Sequence, residues 1–115
     1  MKTELHRRVM NFQTDSFQIM HHARYLECME EGRWMYAHEN DLVQGFKANG
    51  IYHVVVNINI DFRSGAGFGD IITIETEVSR VTEKSVVFSQ RMLRDDIVLV
   101  EAEVVNVFLR RPGDQ

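Results

Sequence analysis

Cysteine and proline each occur once in the 115 residues, at Cys28 and Pro112. A single thiol excludes an intramolecular disulfide and any zinc site built on several cysteines. It also suits a reducing compartment, so a cytoplasmic protein is expected. Positive charge is in short supply too. Thirteen Lys and Arg stand against 17 Asp and Glu, a formal net charge of −4 that argues against a general nucleic-acid binder. No stretch nears the roughly 18 consecutive apolar residues of a membrane span, and "MKTELHRRVMNF" lacks the apolar core of a signal peptide. No repeat, low-complexity tract or linker interrupts the chain. A single domain over residues 1–115 is expected, large enough to bury roughly 65% of its unfolded surface.

What is present is a strand-rich pattern with one long helix. Residues 4–13, "ELHRRVMNFQ", read as a first strand. "HARYLECMEEGRWMYAHE", 22–39, places Tyr25, Met29, Gly32 or Arg33, and Tyr36 at helical spacing, with Leu26 broadening the stripe. "NDLVQGFKANG" reads as a short helical turn with Asn40 or Asp41 as cap and Gly50 as stop. Strands follow over 51–62, 70–81, 84–94 and 97–109. The connections "TEK" and "DD" are short, so the last three should form an antiparallel meander. The strand 51–62 carries an apolar set at Val54, Val56, Ile58 and Ile60, with Asn57 and Asn59 on its other face. The class is α+β, one helix covering one face of a curved five-stranded antiparallel sheet. One helix leaves apolar sheet uncovered, so a homodimer is expected, with pairing into a homotetramer as the next step.

The chemistry is concentrated in "NFQTDSFQIMHHARYLECMEEGRW", residues 11–34. Asp15 sits in a polar turn, and His21 and His22 lead into the helix. Asp15 and the two histidines supply three metal ligands, but adjacent histidines on a helix point about 100° apart and no metalloprotease spacing is present. Asp in "TDSF" is also ordinary turn chemistry. A third reading starts from "IMHHA", which offers no Ser, Thr, Asp or Asn as N-cap. First-turn amides left open would favour a developing negative charge, and an acid on the preceding loop would complete half of an acyl-transfer site.

"TDSFQIMHHARYLECMEEGRW" resembles the signature of the 4-hydroxybenzoyl-CoA thioesterase-like branch of the hotdog-fold superfamily. With "VVVNINIDFR" and "GDIITIETEVSRVTEKSVVFSQ" the chain looks most like bacterial long-chain acyl-CoA thioesterases of the type III class, over about residues 7–108. The resemblance implies a hotdog fold in which the sheet wraps the helix. It implies hydrolysis of an acyl-CoA, medium- to long-chain, with no metal or redox cofactor. It places Asp15 as nucleophile or general base, and the backbone N–H of His22 as the group polarising the thioester carbonyl. The chain departs from the pattern at His21 and His22, where an asparagine pair is expected, at Gly32 in place of Ala, and at "SGAGFG" in place of a proline.

Further candidates are spread along the chain. Arg63, Arg80, Lys84, Arg110 and Arg111 fall at strand ends or turns and are candidates for the phosphates of coenzyme A. Asn57 and Asn59 read as two buried amides with cross-strand or cross-dimer partners, or as groups orienting the attacking water. His21 is a candidate for substrate contact. In "RSGAGFGD" the glycines stand at 65, 67 and 69, which is not the order of a phosphate loop. Glu30 and Glu31 provide an alternative acid on the helix. Met20, Met29, Met35, Trp34 and Phe17 are apolar candidates for an acyl tunnel, with core packing as the simpler role. The rival functions are an acyl-thioester dehydratase or hydratase, using His21 or His53, and a non-catalytic acyl-binding module.

Overall fold

A computed structural model describes residues 2–110, those at 43 and 44 by backbone only; Arg111 and Pro112 lie outside the described residues. Strand β1 (Lys2–Arg8) leads through a 3-10 turn (Asn11–Gln13) to helix α1 (His22–Glu39) and the short helix α2 (Leu42–Ala48). Strands β2 (Ile51–Phe62), β3 (Ile71–Val81), β4 (Ser85–Arg94) and β5 (Ile97–Arg110) complete the chain. They form one antiparallel sheet in the order β1-β3-β4-β5-β2, with the expected meander at its centre and β1 and β2 as edges.

Alternation decides which sheet face meets the helix. Ile72, Ile74 and Thr76 of β3, Val86, Phe88, Gln90 and Met92 of β4, and Val100, Ala102, Val104 and Asn106 of β5 are all buried. Helix α1 answers with Tyr25, Cys28, Met29, Gly32 and Tyr36. Met29, Ile72, Ile74, Met92 and Leu99 are wholly buried, and each such side chain contributes about 1.5–3 kcal/mol. Gly32 marks the closest approach of helix to sheet. A Cβ there would lie 2.8 Å from Ile74 Cγ2 and 2.8 Å from Thr76 Oγ1. The departure from Ala at this position is therefore steric.

Three local expectations need correction. The first strand ends at Arg8 instead of reaching residue 13, because Arg8 pairs with Ile71, where β3 begins, and no partner strand extends further. Asp41 takes the cap position of α2 in a left-handed conformation (φ 59°), yet its side chain makes no cap bond; Asn40 Nδ2 instead donates to Tyr36 O and closes α1. In β2 the register against β5 slips between Val55 and Asn57. This bulge inverts the alternation. Val54 joins Asn57 and Asn59 on the outer face, while His53, Val55, Ile58 and Ile60 face the helix side, as their β5 partners show. The apolar set of 54, 56, 58 and 60 is thus divided between two faces.

Candidate active site

Asp15 lies on a tight hairpin that returns directly into α1. A Thr14–Met20 bridge closes it, Asp15 N–H donates to Ile19 O at 2.9 Å, and Gln18 turns at φ 60°. The Asp15 carboxylate organises this loop as well, with Oδ1 accepting from Phe17 N–H at 2.8 Å and Ile19 N–H at 3.3 Å. The turn role read from "TDSF" is therefore real, and it leaves Oδ2 without a protein partner among the described residues.

The glycine-rich connection 63–70 holds the hairpin from outside. Met20 N–H donates to Ala66 O (2.8 Å), Phe68 N–H donates to Gln18 O (3.1 Å), and Ile19 bridges Gly67. Ala66 N–H donates in turn to the buried Tyr25 hydroxyl of α1 at 2.8 Å. Burial raises the pKa of this phenol, and the Ala66 bond acts the other way. Asp70 Oδ2 accepts from Gly67 N–H and from Arg94, which also donates to Gly65 O.

At the start of α1 the expectation of an uncapped helix is corrected. His21 Nδ1 accepts from Ala23 N–H at 3.2 Å, so an imidazole supplies the cap that no Ser, Thr, Asp or Asn provides. The preceding amide stays open: no acceptor among the described residues takes the His22 N–H. The His22 ring stacks on His21 at 4.3 Å and meets the edge of Phe62 at 6.2 Å. An exposed carboxylate and an unengaged helix-start amide therefore share one end of the fold. Phe12 and Phe17 stand 83% and 80% exposed there, with Phe62 and Phe68 half-exposed beside them. Apolar rings held in water around a carboxylate mark a surface made to be covered.

A model of the thioesterase superfamily matches residues 17–101. The chain belongs to that superfamily. Long-chain acyl-CoA thioesterase FadM of Escherichia coli (strain K12) is 34% identical over 109 residues, spanning 95% of this chain and 81% of the relative. Acyl-CoA thioesterase YbgC of Haemophilus influenzae is 32% identical over 99 residues, covering 84% of this chain and 73% of its own. The fold is that of 4-hydroxybenzoyl-CoA thioesterase from Pseudomonas sp. strain CBS-3, with a TM-score of 0.89 at 21% identity over 97% of this chain and 87% of that one. The wrapped helix and five-stranded sheet are the hotdog arrangement.

The other candidates of this thioesterase are dispersed. Asn57 and Asn59 are exposed on the outer face of edge strand β2, so the expectation of buried amides does not hold within one chain. Arg63 is ion-paired to Glu101 at 2.8 Å near the Asp15 end. Arg80, Lys84 and Arg110 lie at the opposite end of the sheet, where β3 ends and β4 starts, and Arg110 donates to Asn49 O. The four described cations thus form no single group. Glu31 is engaged by Arg7 at 2.6 Å. Burial pushes the Cys28 thiol up to about 11, which keeps it unreactive. Among the described residues no three His, Cys, Asp or Glu gather as a metal site, and no helix is long and apolar enough to cross a membrane.

Two polar residues lining a separate cavity, Arg33 and Asn106, were missed as site residues, and His53 beside them was named only for a rival chemistry. One signal was available, since Asn106 falls in register with Val104 and Phe108 on an otherwise apolar strand face.

Proposed function

We propose that this thioesterase hydrolyses medium- to long-chain acyl-CoA to free acid and coenzyme A. The observation that carries the reading is the open His22 N–H at the start of α1 beside the loop of Asp15. The thioester carbonyl oxygen accepts from the His22 N–H, where the helix dipole favours the charge that develops on it. Asp15, steadied through Oδ1, uses Oδ2 to attack the carbonyl carbon or to take a proton from an attacking water. The C–S bond breaks and the thiolate of coenzyme A takes up a proton; the acid leaves directly where water attacks, or after a water hydrolyses the acyl–Asp15 anhydride where the carboxylate attacks. The names of the FadM and YbgC relatives support acyl-CoA as substrate, and that of FadM a long chain.

The working form in this reading is a homodimer joined along β2, with pairing into a tetramer. Among the described residues only one edge of β2 is paired, and Val54, Val56 and Ile58 are exposed along it. Asn57 and Asn59 would then meet the partner or the substrate. Arg63 near the Asp15 end, and Arg80, Lys84 and Arg110 at the opposite end of the sheet, remain candidates for the coenzyme A phosphates. The setting is cytoplasmic, consistent with one buried free thiol.

Thiol release from acyl-CoAs of increasing length, wild type beside Asp15→Asn, tests the activity and its acid. Asn keeps an acceptor for the Phe17 and Ile19 amides, so the variant should stay folded while kcat falls by about 10²–10⁴. An equally active variant would remove Asp15 from the mechanism.

A further inference from the structure

Between the C-terminal half of α1, helix α2 and the inner sheet face lies a cavity of about 720 Å³, within the size range of small-molecule sites. Asp15, His21 and His22 do not line it. Its walls are apolar, with Trp34, Phe46, Phe88 and Phe108 and valines from β2, β3 and β4. Glu30, Arg33, Asn40, His53 and Asn106 break that lining, and among the described residues Asn106 Oδ1 is a buried atom left without a partner.

Asn106 is 1% exposed. Its Nδ2 lies 2.7 Å from His53 Nδ1, and its Oδ1 has no partner among the described residues. Turning the amide over only moves the deficit to its NH2 group. A buried polar atom left so is costly and favours a ligand that completes it. Arg33 gives one N–H to Gln90 Oε1 at 3.0 Å, and Glu30 on the same cavity wall acts on it through its charge without forming an ion pair. Gln90 is fixed in that orientation because its NH2 is spent on Met29 O and Thr76 Oγ1. His53 is held toward its neutral form, first by burial and then by the charge of Arg33.

We infer that this cavity takes the tail of the acyl substrate and selects tails that carry a hydroxyl group toward the far end. The acyl part rests on the thioesterase reading above; the hydroxyl part rests on Asn106 and Arg33. A hydroxyl both donates and accepts. It donates to Asn106 Oδ1, or accepts from the amide if that is turned over, and its oxygen accepts from Arg33. A methyl end serves neither group. A carboxylate serves Arg33 but sets a second acceptor against Asn106 Oδ1. From His22 to Arg33 the helix rises about 16 Å, so long tails reach the polar groups and short ones do not.

Trp34, the single tryptophan, lines the cavity and reports on it directly. The full-length protein is titrated with ω-hydroxy fatty acids of increasing length and with unsubstituted and ω-carboxy acids of matched length, following Trp34 emission. The hydroxy acids should bind about tenfold more tightly, one net hydrogen bond. Asn106→Leu keeps the branched shape without the polar atoms and should abolish that preference without weakening the unsubstituted acid. Arg33→Met, at a less buried position, should reduce it severalfold and serves if Asn106→Leu does not fold. Equal or tighter binding of the unsubstituted acid, a preference for the carboxy acid, a preference surviving Asn106→Leu, or no saturable emission change overturns the inference. Thiol release from unsubstituted acyl-CoA reads the thioesterase proposal separately. A hydroxyl preference without any thiol release leaves the cavity assignment and removes the hydrolase; thiol release without the preference does the reverse.

Discussion

Tyr25 of α1 accepts the N–H of Ala66 at 2.8 Å, while the carbonyl of the same Ala66 accepts from Met20, the residue that closes the Asp15 hairpin. One residue, Ala66, thus joins the helix, the glycine-rich connection and the candidate catalytic loop through its N–H and its carbonyl. Tyr25→Phe keeps the ring against Phe62 but leaves the buried Ala66 N–H unpaired. Stability should fall by about 1–3 kcal/mol. Because the loop also loses its anchor, kcat should fall by roughly ten- to a hundredfold. Thermal melts beside thiol-release kinetics check both; a full loss of stability with unchanged kcat would separate the clamp from catalysis.

His22 occupies the first helical position, which tolerates proline because its N–H has no intrahelical partner. His21 before it is extended (φ −66°, ψ 139°), as a residue preceding proline must be. His22→Pro therefore deletes the amide that the mechanism uses while sparing the helix. Its kcat should drop by about 10²–10³, whereas His22→Ala, which keeps the amide, should be mild. Equal activity of the two variants in the thiol-release assay would rule out the amide as oxyanion donor.

Gly32 and Gly45 offer opposite outcomes for one substitution. Gly32→Ala gains up to about 1 kcal/mol of helix propensity, but its Cβ meets Ile74 and Thr76 at 2.8 Å. Overpacking of about 1–3 kcal/mol should win, lowering the urea midpoint. Nothing lies within 4 Å of a Cβ at Gly45, so Gly45→Ala should stabilise by about 0.5–1 kcal/mol. The same urea titration measures both.

His53 should leave a pH signature. Its folded pKa lies below its ordinary value of 6.5, through burial and then the charge of Arg33. Below about pH 6.5 the unfolded chain takes up the proton before the folded one does, so stability rises with pH there. The contribution is complete above 6.5 and is lost as pH falls toward the folded pKa. Urea midpoints compared between pH 5.5 and 7.5 should converge in His53→Gln relative to wild type; an unchanged pH slope would assign it to other groups.

Much of the fold was legible because it is written in local periodicity. Tyr25, Met29 and Tyr36 mark α1 to the residue, and alternation through Ile72, Ile74 and Thr76 marks the core face of β3. The short turns around Thr82 and Asp95 determine the meander, since consecutive strands with tight connections have one way to pair. The candidate site was legible at Asp15 and His22 through a motif. The cap was not, because an imidazole caps only when its rotamer turns Nδ1 back onto the helix. Nor was the parting of Arg63 from Arg80, Lys84 and Arg110, since strand ends distant in sequence meet or part according to the sheet order.

The amino-acid sequence by itself determined the elements, the central meander and the loop that bears Asp15, because each depends on residues a few positions apart. The tertiary structure decided the placement of β1 beside β3 and β2 beside β5, the bulge that splits the apolar set of β2, and the closure of helix on sheet at Gly32. It also brought Arg33, His53 and Asn106 to one cavity. These depend on pairings across as many as 75 positions, as from Lys2 to Glu77, where burial and backbone hydrogen bonding of the whole sheet outweigh any local preference.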